Sequence, residues 1–153
     1  MDCYDGYMSS TPASSAEDLA AAQRELCGLV NALAHRIENH VRLRATPLGL
    51  SAPQAVALRE LTGPMTMGEL AERMSCEPSN ATYVVDRLEA GGHVERRPHP
   101  TDRRAKQILL TAQGTELREQ LLAQLTEDSP LQQLNQQEQQ TLHQLLARAV
   151  TGQ

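Results

Sequence analysis

Residues 66–110 read TMGELAERMSCEPSNATYVVDRLEAGGHVERRPHPTDRRAKQILL, and the order of signals within them decides the fold. Thr66 followed by Glu69 has the spacing of a capping box, in which each side chain satisfies an orphan backbone N–H at a helix start. Met65 and Leu70 stand at the two staple positions around that cap, so a first helix is expected over TMGELAERM. Pro78 falls where a first-turn proline forfeits no hydrogen bond, which starts a second helix about there. In PSNATYVVDRLE the apolar residues Ala81, Val84, Val85 and Leu88 recur at helical spacing and form one stripe. Gly91 and Gly92 end this helix, because glycine adopts the left-handed C-terminal cap at little cost.

Opposite that stripe lie Ser79, Asn80, Thr82, Tyr83 and Arg87. Small hydroxyl and amide groups near a helix N-terminus, backed by an aromatic and an arginine, suit a helix that enters the major groove of double-stranded DNA. An isolated solvated helix shows a similar face; the capped helix before it and the hairpin after it favour the DNA reading. The segment HVERRPHPTDRRAKQILLT gives two short extended runs around a tip containing Pro98, Pro100, Thr101 and Asp102. From Arg96 to Lys106 five basic residues stand against one acid, a local charge of +4 in a chain whose net charge is −5. An acidic protein is repelled by nucleic acid on average and binds it only through such a local patch. Helix, turn, helix and basic hairpin, in that order, describe a winged helix-turn-helix. The fold class is therefore mainly α with a small β-wing.

With these motifs the sequence resembles the MarR family of multiple-antibiotic-resistance-type regulators, from about Ala16 to Val150. LAERMSCEPSNATYVVDRLEAGG matches the helix-turn-helix, VERRPHPTDRRAKQILLT the wing, and LTAQGTEL the exit from it. The Asp-Arg-Arg tip with a Leu-Thr-x-x-Gly exit is the more specific part. The resemblance implies that Arg103 or Arg104 enters the minor groove; Lys106, in the same basic tract, is also expected to contact DNA. It also implies that Asp102 orients the tip by pairing with Arg96 or Arg97 at the hairpin base. Two departures stand out: His93 occupies a position where the family usually has leucine, and LSAPQAVALREL lacks the aromatic often found near Val56.

Outward from the winged lobe, at residues 50–110, a long helix from about Ser15 to Ala45 carries Leu19, Leu26, Leu29, Val30, Leu33, Ile37 and Val41 on one stripe. Thr111 to Glu127 presents Leu117, Leu121, Leu122 and Leu125. Asn135 to Val150 opens with Asn135 and Glu138 in cap spacing and presents Leu142, Leu145, Leu146 and Val150. Apolar helices from both ends, with no internal partner large enough, are what a dimer interface needs; in the family the terminal helices of two subunits interlock. Residues 16–46 and 111–151 are thus expected to form the dimerisation lobe of a single domain spanning 16–153. Two-fold symmetry would place the recognition helices on successive major grooves, about 34 Å apart, over a pseudo-palindromic operator.

The remaining features narrow the function. Residues 1–15, with Ser, Asp and Pro and no periodicity, are expected to be an unstructured tail. No apolar run long enough to cross a membrane and no export leader is visible, so a cytoplasmic location without membrane association is expected. Cys3, Cys27 and Cys76 lack CxxC pairing and the histidines lack ligand spacing, so no metal, cofactor or catalytic site is expected. Cys27 reads as a small buried hydrophobe, with a thiol switch as the alternative because some family members sense organic peroxides through a cysteine in the first helix. His40 and Arg44 fall on the otherwise apolar stripe, where ionisable groups need partners. They are candidates either for an effector pocket or for a polar contact across the dimer. The resulting expectation is a homodimeric DNA-binding transcriptional regulator, a repressor released by a small-molecule effector. Alternatives are a redox-sensing repressor using Cys27, or a winged protein-interaction module that does not bind DNA.

Overall fold

The computed structural model describes residues 15–152. The expected tail lies outside them except for Ser15, which is no tail residue: its hydroxyl accepts the Asp18 N–H at 3.1 Å and starts the first helix. The elements in chain order are α1 (Ala16–Ala45), α2 (Ala52–Glu60), β1 (Met65–Thr66), α3 (Met67–Arg73), α4 (Pro78–Ala90), β2 (Val94–Pro98), β3 (Lys106–Leu110), α5 (Ala112–Thr126) and α6 (Gln136–Thr151), with a short 3-10 turn at Thr46–Leu48.

Each helix start has a local cause. Reciprocal capping boxes open α2 (Ser51 with Gln54), α3 (Thr66 with Glu69) and α6 (Asn135 with Glu138), while Pro78 occupies the first turn of α4. The Thr66 backbone N–H and hydroxyl hold the Glu69 carboxyl below the usual carboxylate range. The two inner helices end alike. After α3 the Cys76 N–H reaches the Ala71 carbonyl and Ser75 sits at φ +52°; after α4 the His93 N–H reaches the Leu88 carbonyl and Gly92 sits at φ +77°. Both are Schellman turns, which satisfy orphan carbonyls and fix the angle at which the chain leaves. Cys76 is thus a backbone donor in the helix-turn-helix turn.

The chain divides into two compact units between His35 and Arg36. In the first, described from Ser15, the α1 side chains Leu19, Leu26, Leu29 and Val30 are exposed. Cys27 is exposed too, against the expectation of a buried hydrophobe, because its neighbours along the helix are themselves uncovered.

The second unit contains the core. Leu58 and Leu61 from the α2 region, Leu70 of α3, Val85 and Leu88 of α4, Ile108 of β3 and Leu121 of α5 are its largest fully buried side chains. The antiparallel sheet has strand order β1-β3-β2, with Met65 opposite Ile108 and Val94 opposite Leu110. Strand β1 escapes a reading of the sequence because two residues are too short to show alternation. Contrary to the expectation that no terminal helix has an internal partner, α5 has one. Its Leu121 lies in the core, and Leu117 and Leu125 pack against it. Arg118 locks α5 to α2 by donating from Nε to the Leu58 carbonyl (2.9 Å) and from Nη2 to the Arg59 carbonyl (3.1 Å). Those carbonyls belong to the last turn of α2, which has no intrahelical donors left for them. Helix α6 has no buried residue, and Leu145 and Val150 are exposed on it.

The wing exit explains the Leu-Thr-x-x-Gly motif. Thr111 donates its hydroxyl to the Gly92 carbonyl (2.7 Å), donates its N–H to the His93 carbonyl (3.1 Å) and accepts the Gly114 N–H (3.0 Å). This draws α5 so near that a Cβ on Gly114 would lie 1.8 Å from the His93 carbonyl oxygen. His93, at the position where leucine is usual, leaves its Nδ1 buried with no hydrogen-bond partner among the described residues. Gly114→Ala is therefore expected to destabilise the fold by about 1–3 kcal/mol, the usual cost of overpacking. Gly68→Ala, at a site with nothing within 4 Å, is expected to leave stability equal or slightly raised. Thermal unfolding followed by circular dichroism measures both, and equal midpoints for Gly114→Ala and the wild type would refute the close approach.

Candidate nucleic-acid interface

With Ala81, Val84, Val85 and Leu88 buried, the opposite face of α4 is turned outward, and Ser79, Asn80, Thr82, Tyr83 and Arg87 are all exposed. Their roles within the chain differ. Thr82 donates its hydroxyl to the Pro78 carbonyl at 2.8 Å, a bond within the helix. Arg87 donates from Nη2 to the Tyr83 hydroxyl at 3.1 Å while its guanidinium lies 5.2 Å from the centre of the Tyr83 ring. A guanidinium resting on an aromatic ring loses less conformational freedom when it meets a phosphate or base. Ser79 and Asn80 make no side-chain hydrogen bond among the described residues, which leaves both side chains available.

The wing stands beside this face. Thr82 of α4, Arg96 of β2 and Lys106 of β3 line one groove of about 410 Å³. At the tip Arg103 and Arg104 are exposed, and among the described residues neither they nor Lys106 has a carboxylate within ion-pair distance. Unneutralised cations at a protrusion are what a phosphate backbone attracts.

The hairpin base corrects one expectation. Asp102 pairs with neither Arg96 nor Arg97. Arg96 instead bridges to two carboxylates of α4, at 2.5 Å from Nη2 to Asp86 Oδ1 and from Nη1 to Glu89, while Arg97 pairs with Glu95 of its own strand. The reason is geometric: Arg96 faces Ile108 in the middle of the ladder, next to α4, whereas Asp102 lies beyond the last pair, Pro98 with Lys106. Asp102 turns inward on the tip and accepts the Arg104 N–H at 2.9 Å. The hydrogen bond to Asp86, opposed by partial burial and reinforced by the charge of Glu89, raises the Arg96 pKa further above its ordinary value. The wing and α4 are thereby joined by a charged clamp. Asp86 and Glu89, spaced three apart on α4, are the residues that sequence reasoning missed here.

The second candidate site lies on α1. His40 lines an open cleft of about 900 Å³ together with Ile37, Arg59, Leu122, Ser129 and Gln139. Its ring Nε2 is already bonded to the Leu125 carbonyl at 3.0 Å, so it caps the end of α5. Arg44 does not line the cleft; it pairs with Asp128 at 2.7 Å and Glu127 at 3.6 Å. Both residues find partners where α5 ends and its carbonyls lack donors, a place that favours cations. The expected joint pocket of His40 and Arg44 therefore reduces to His40.

The model of the MarR family matches residues 50–106, from just before α2 to the first residue of β3. The uncharacterised HTH-type transcriptional regulator YsmB of Bacillus subtilis is 30% identical over 122 residues, 78% of this chain and 79% of that protein. The HTH-type transcriptional repressor MdtR of the same organism is 31% identical over 96 residues, 61% of this chain and 62% of its own length. Among solved structures, a mutant MarR of Escherichia coli complexed with operator DNA superposes with a TM-score of 0.68 at 27% identity, covering 82% of this chain and 93% of that one.

The clamp leads to a stability prediction. Each ion pair of Arg96, with Asp86 and with Glu89, is expected to show a coupling energy of about 0.2–1 kcal/mol in a double-mutant cycle of alanine variants unfolded in urea. The coupling should shrink as salt is raised, because the carboxylates are partly exposed. Zero coupling in both cycles at low salt would mean that the clamp holds nothing.

Proposed function

Given that the chain belongs to the MarR family, whose members are DNA-binding transcriptional regulators and not enzymes, we propose that it is a ligand-responsive repressor that binds a pseudo-palindromic operator as a homodimer. The observation that carries this reading is the pairing of an outward polar face on α4 with tip arginines that have no ion-pair partner among the described residues, in a chain whose net charge is −5. Ser79, Asn80, Thr82, Tyr83 and Arg87 are assigned to the major groove. Arg103 or Arg104 is assigned to the minor groove, and Lys106 to phosphate. The similarity to a MarR mutant crystallised on operator DNA and to the repressor MdtR supports binding and repression.

Dimerisation is supported by exposed apolar side chains on both terminal helices, Leu19, Leu26, Leu29 and Val30 on α1 and Leu145 and Val150 on α6. A monomer that left them in water would forgo about 25 cal/mol for each Å² of apolar area it could bury. The cleft beside His40 has the size of a small-molecule site and mixes apolar walls with a few polar groups. An effector bound there need favour one dimer geometry over another by only about 1–3 kcal/mol to change the affinity for the operator about 5- to 150-fold.

Two experiments test the reading. Selection from a random duplex pool is expected to return a pseudo-palindrome, and the double variant Arg103→Ala/Arg104→Ala should bind it more weakly, with the slope of log K against log salt flattened by about one unit for each phosphate no longer neutralised. An unchanged slope and affinity would take the wing out of DNA binding. For the dimer, Leu145 is 54% exposed in the single chain, so Leu145→Asp should keep the fold and yield a monomer by sedimentation. A folded mutant that sediments as a dimer would move the interface away from this part of α6.

A further inference from the structure

The wing tip, residues 99–105, is organised around one imidazole. His99 donates its backbone N–H to the Ala105 carbonyl at 3.0 Å and so closes the loop. Its ring Nδ1 receives the Asp102 N–H at 3.1 Å and the Thr101 N–H at 3.3 Å, with the Thr101 hydroxyl also at 3.3 Å. From Asp102 the order passes to the arginines. Its carbonyl accepts the Ala105 N–H at 3.1 Å, and its carboxylate accepts the Arg104 N–H at 2.9 Å. Arg103 lies between these two anchored residues.

Two backbone donors aimed at Nδ1 require a lone pair there, so the proton of the neutral ring sits on Nε2. We propose that His99 is a positioning residue for DNA binding: its neutral Nδ1 holds the tip that carries Arg103 and Arg104, and protonation of the ring releases that tip. The proposal rests on the wing being a DNA-binding element, the role proposed for Arg103 and Arg104. An imidazolium carries N–H groups at both nitrogens; the Thr101 hydroxyl, 3.3 Å from Nδ1, can accept the added proton, but the Thr101 and Asp102 N–H groups are then left without their acceptor. The loop must then open at Asp102, and the arginines lose their common placement.

Charged groups of both signs stand around the ring. They are Glu69 of α3 and, on the wing itself, Asp102, Arg103, Arg104 and Lys106. The sign of the effect is diagnostic. Acidification ordinarily makes a protein more positive and strengthens its hold on DNA, and an imidazolium touching phosphate would do the same. Release of the tip works in the opposite direction.

The experiment uses the full chain and the duplex that the wild type recovers from a random pool, with affinity measured at about pH 8 and about pH 5.5, a span in which imidazoles change charge. The wild type should bind about three- to tenfold more weakly at the lower pH, the equivalent of about one hydrogen bond. His99→Asn places an unprotonatable oxygen where Nδ1 was. It should bind as the wild type does at the higher pH and show no acid loss. His99→Gln puts its oxygen at the Nε2 position and should be weak at both. Amide resonances of Thr101 and Asp102, followed by NMR without DNA, should titrate in the wild type and stay fixed in His99→Asn. If those amides do not titrate, or if the wild type binds as well or better in acid, the positioning role is overturned. If the amides titrate while duplex affinity ignores both pH and the His99→Gln change, the positioning role is overturned as well, and the Arg103→Ala/Arg104→Ala variant then decides separately whether the wing binds DNA at all.

Discussion

Burial of Ala81, Val84, Val85 and Leu88 is the constraint on which the second unit depends, because this one stripe fixes the rotation of α4 about its axis. Val85 and Leu88 lie in the same cluster as Leu58 of α2, Leu70 of α3, Ile108 of β3 and Leu121 of α5, so nearly every element of the unit contributes to holding the helix. Truncating such a side chain costs about 2–5 kcal/mol, a large share of what a domain of this size has. With the stripe pinned inward, the residues on the other side have no choice but to face out. The orientation of the outward polar face is a by-product of packing.

Apolar packing leaves the helix ends unsettled, since the last carbonyls of each helix lack donors. Here basic side chains from other elements supply them. Arg118 of α5 bonds to the Leu58 and Arg59 carbonyls at the end of α2, Arg73 of α3 reaches the Glu60 carbonyl and the Thr62 hydroxyl, and His40 of α1 takes the Leu125 carbonyl at the end of α5. Each bond is worth about 0.5–1.5 kcal/mol net, but leaving the carbonyl unpaired in a buried place costs more. These contacts set angles between helices, which apolar contact alone sets loosely. They also place His40 at the cleft, where a ligand that drew the ring away would disturb the end of α5.

The wing solves a different problem. A two-stranded hairpin is marginal in water, and this one gains a third strand from Met65 and Thr66, the charged clamp of Arg96 on α4, and the Thr111 and Gly114 junction at its exit. These contacts all lie toward the base. At the tip the only organising bonds among the described residues are those that centre on His99 and Asp102. The part assigned to touch DNA is therefore the part whose order depends on the fewest bonds, and a single proton can act on it.

How much of this was legible in the sequence follows from the range of each interaction. Cap spacings, the Pro78 start, the glycine stop, the α4 stripe and the concentration of arginines are local patterns, and they determined the helices, the exposed face and the basic hairpin. The family resemblance rested on the same local motifs. What depended on contacts between distant residues was not available: Met65 and Thr66 joining the sheet, Arg118 closing α2, and Arg96 turning to Asp86 and Glu89 in place of Asp102. Nor was the partner of α5, because an apolar stripe states that something covers it without stating what. Cys27 shows the same limit from the other side, since a position beside an apolar stripe is buried only if the stripe is, and the stripe around it is uncovered in the single chain. The sequence by itself determined which elements form and which way each faces, because backbone hydrogen bonding and helical periodicity act within a few residues. Only the tertiary structure decided which charges meet and which stay free, because a side chain pairs with whatever the packed core brings within its reach.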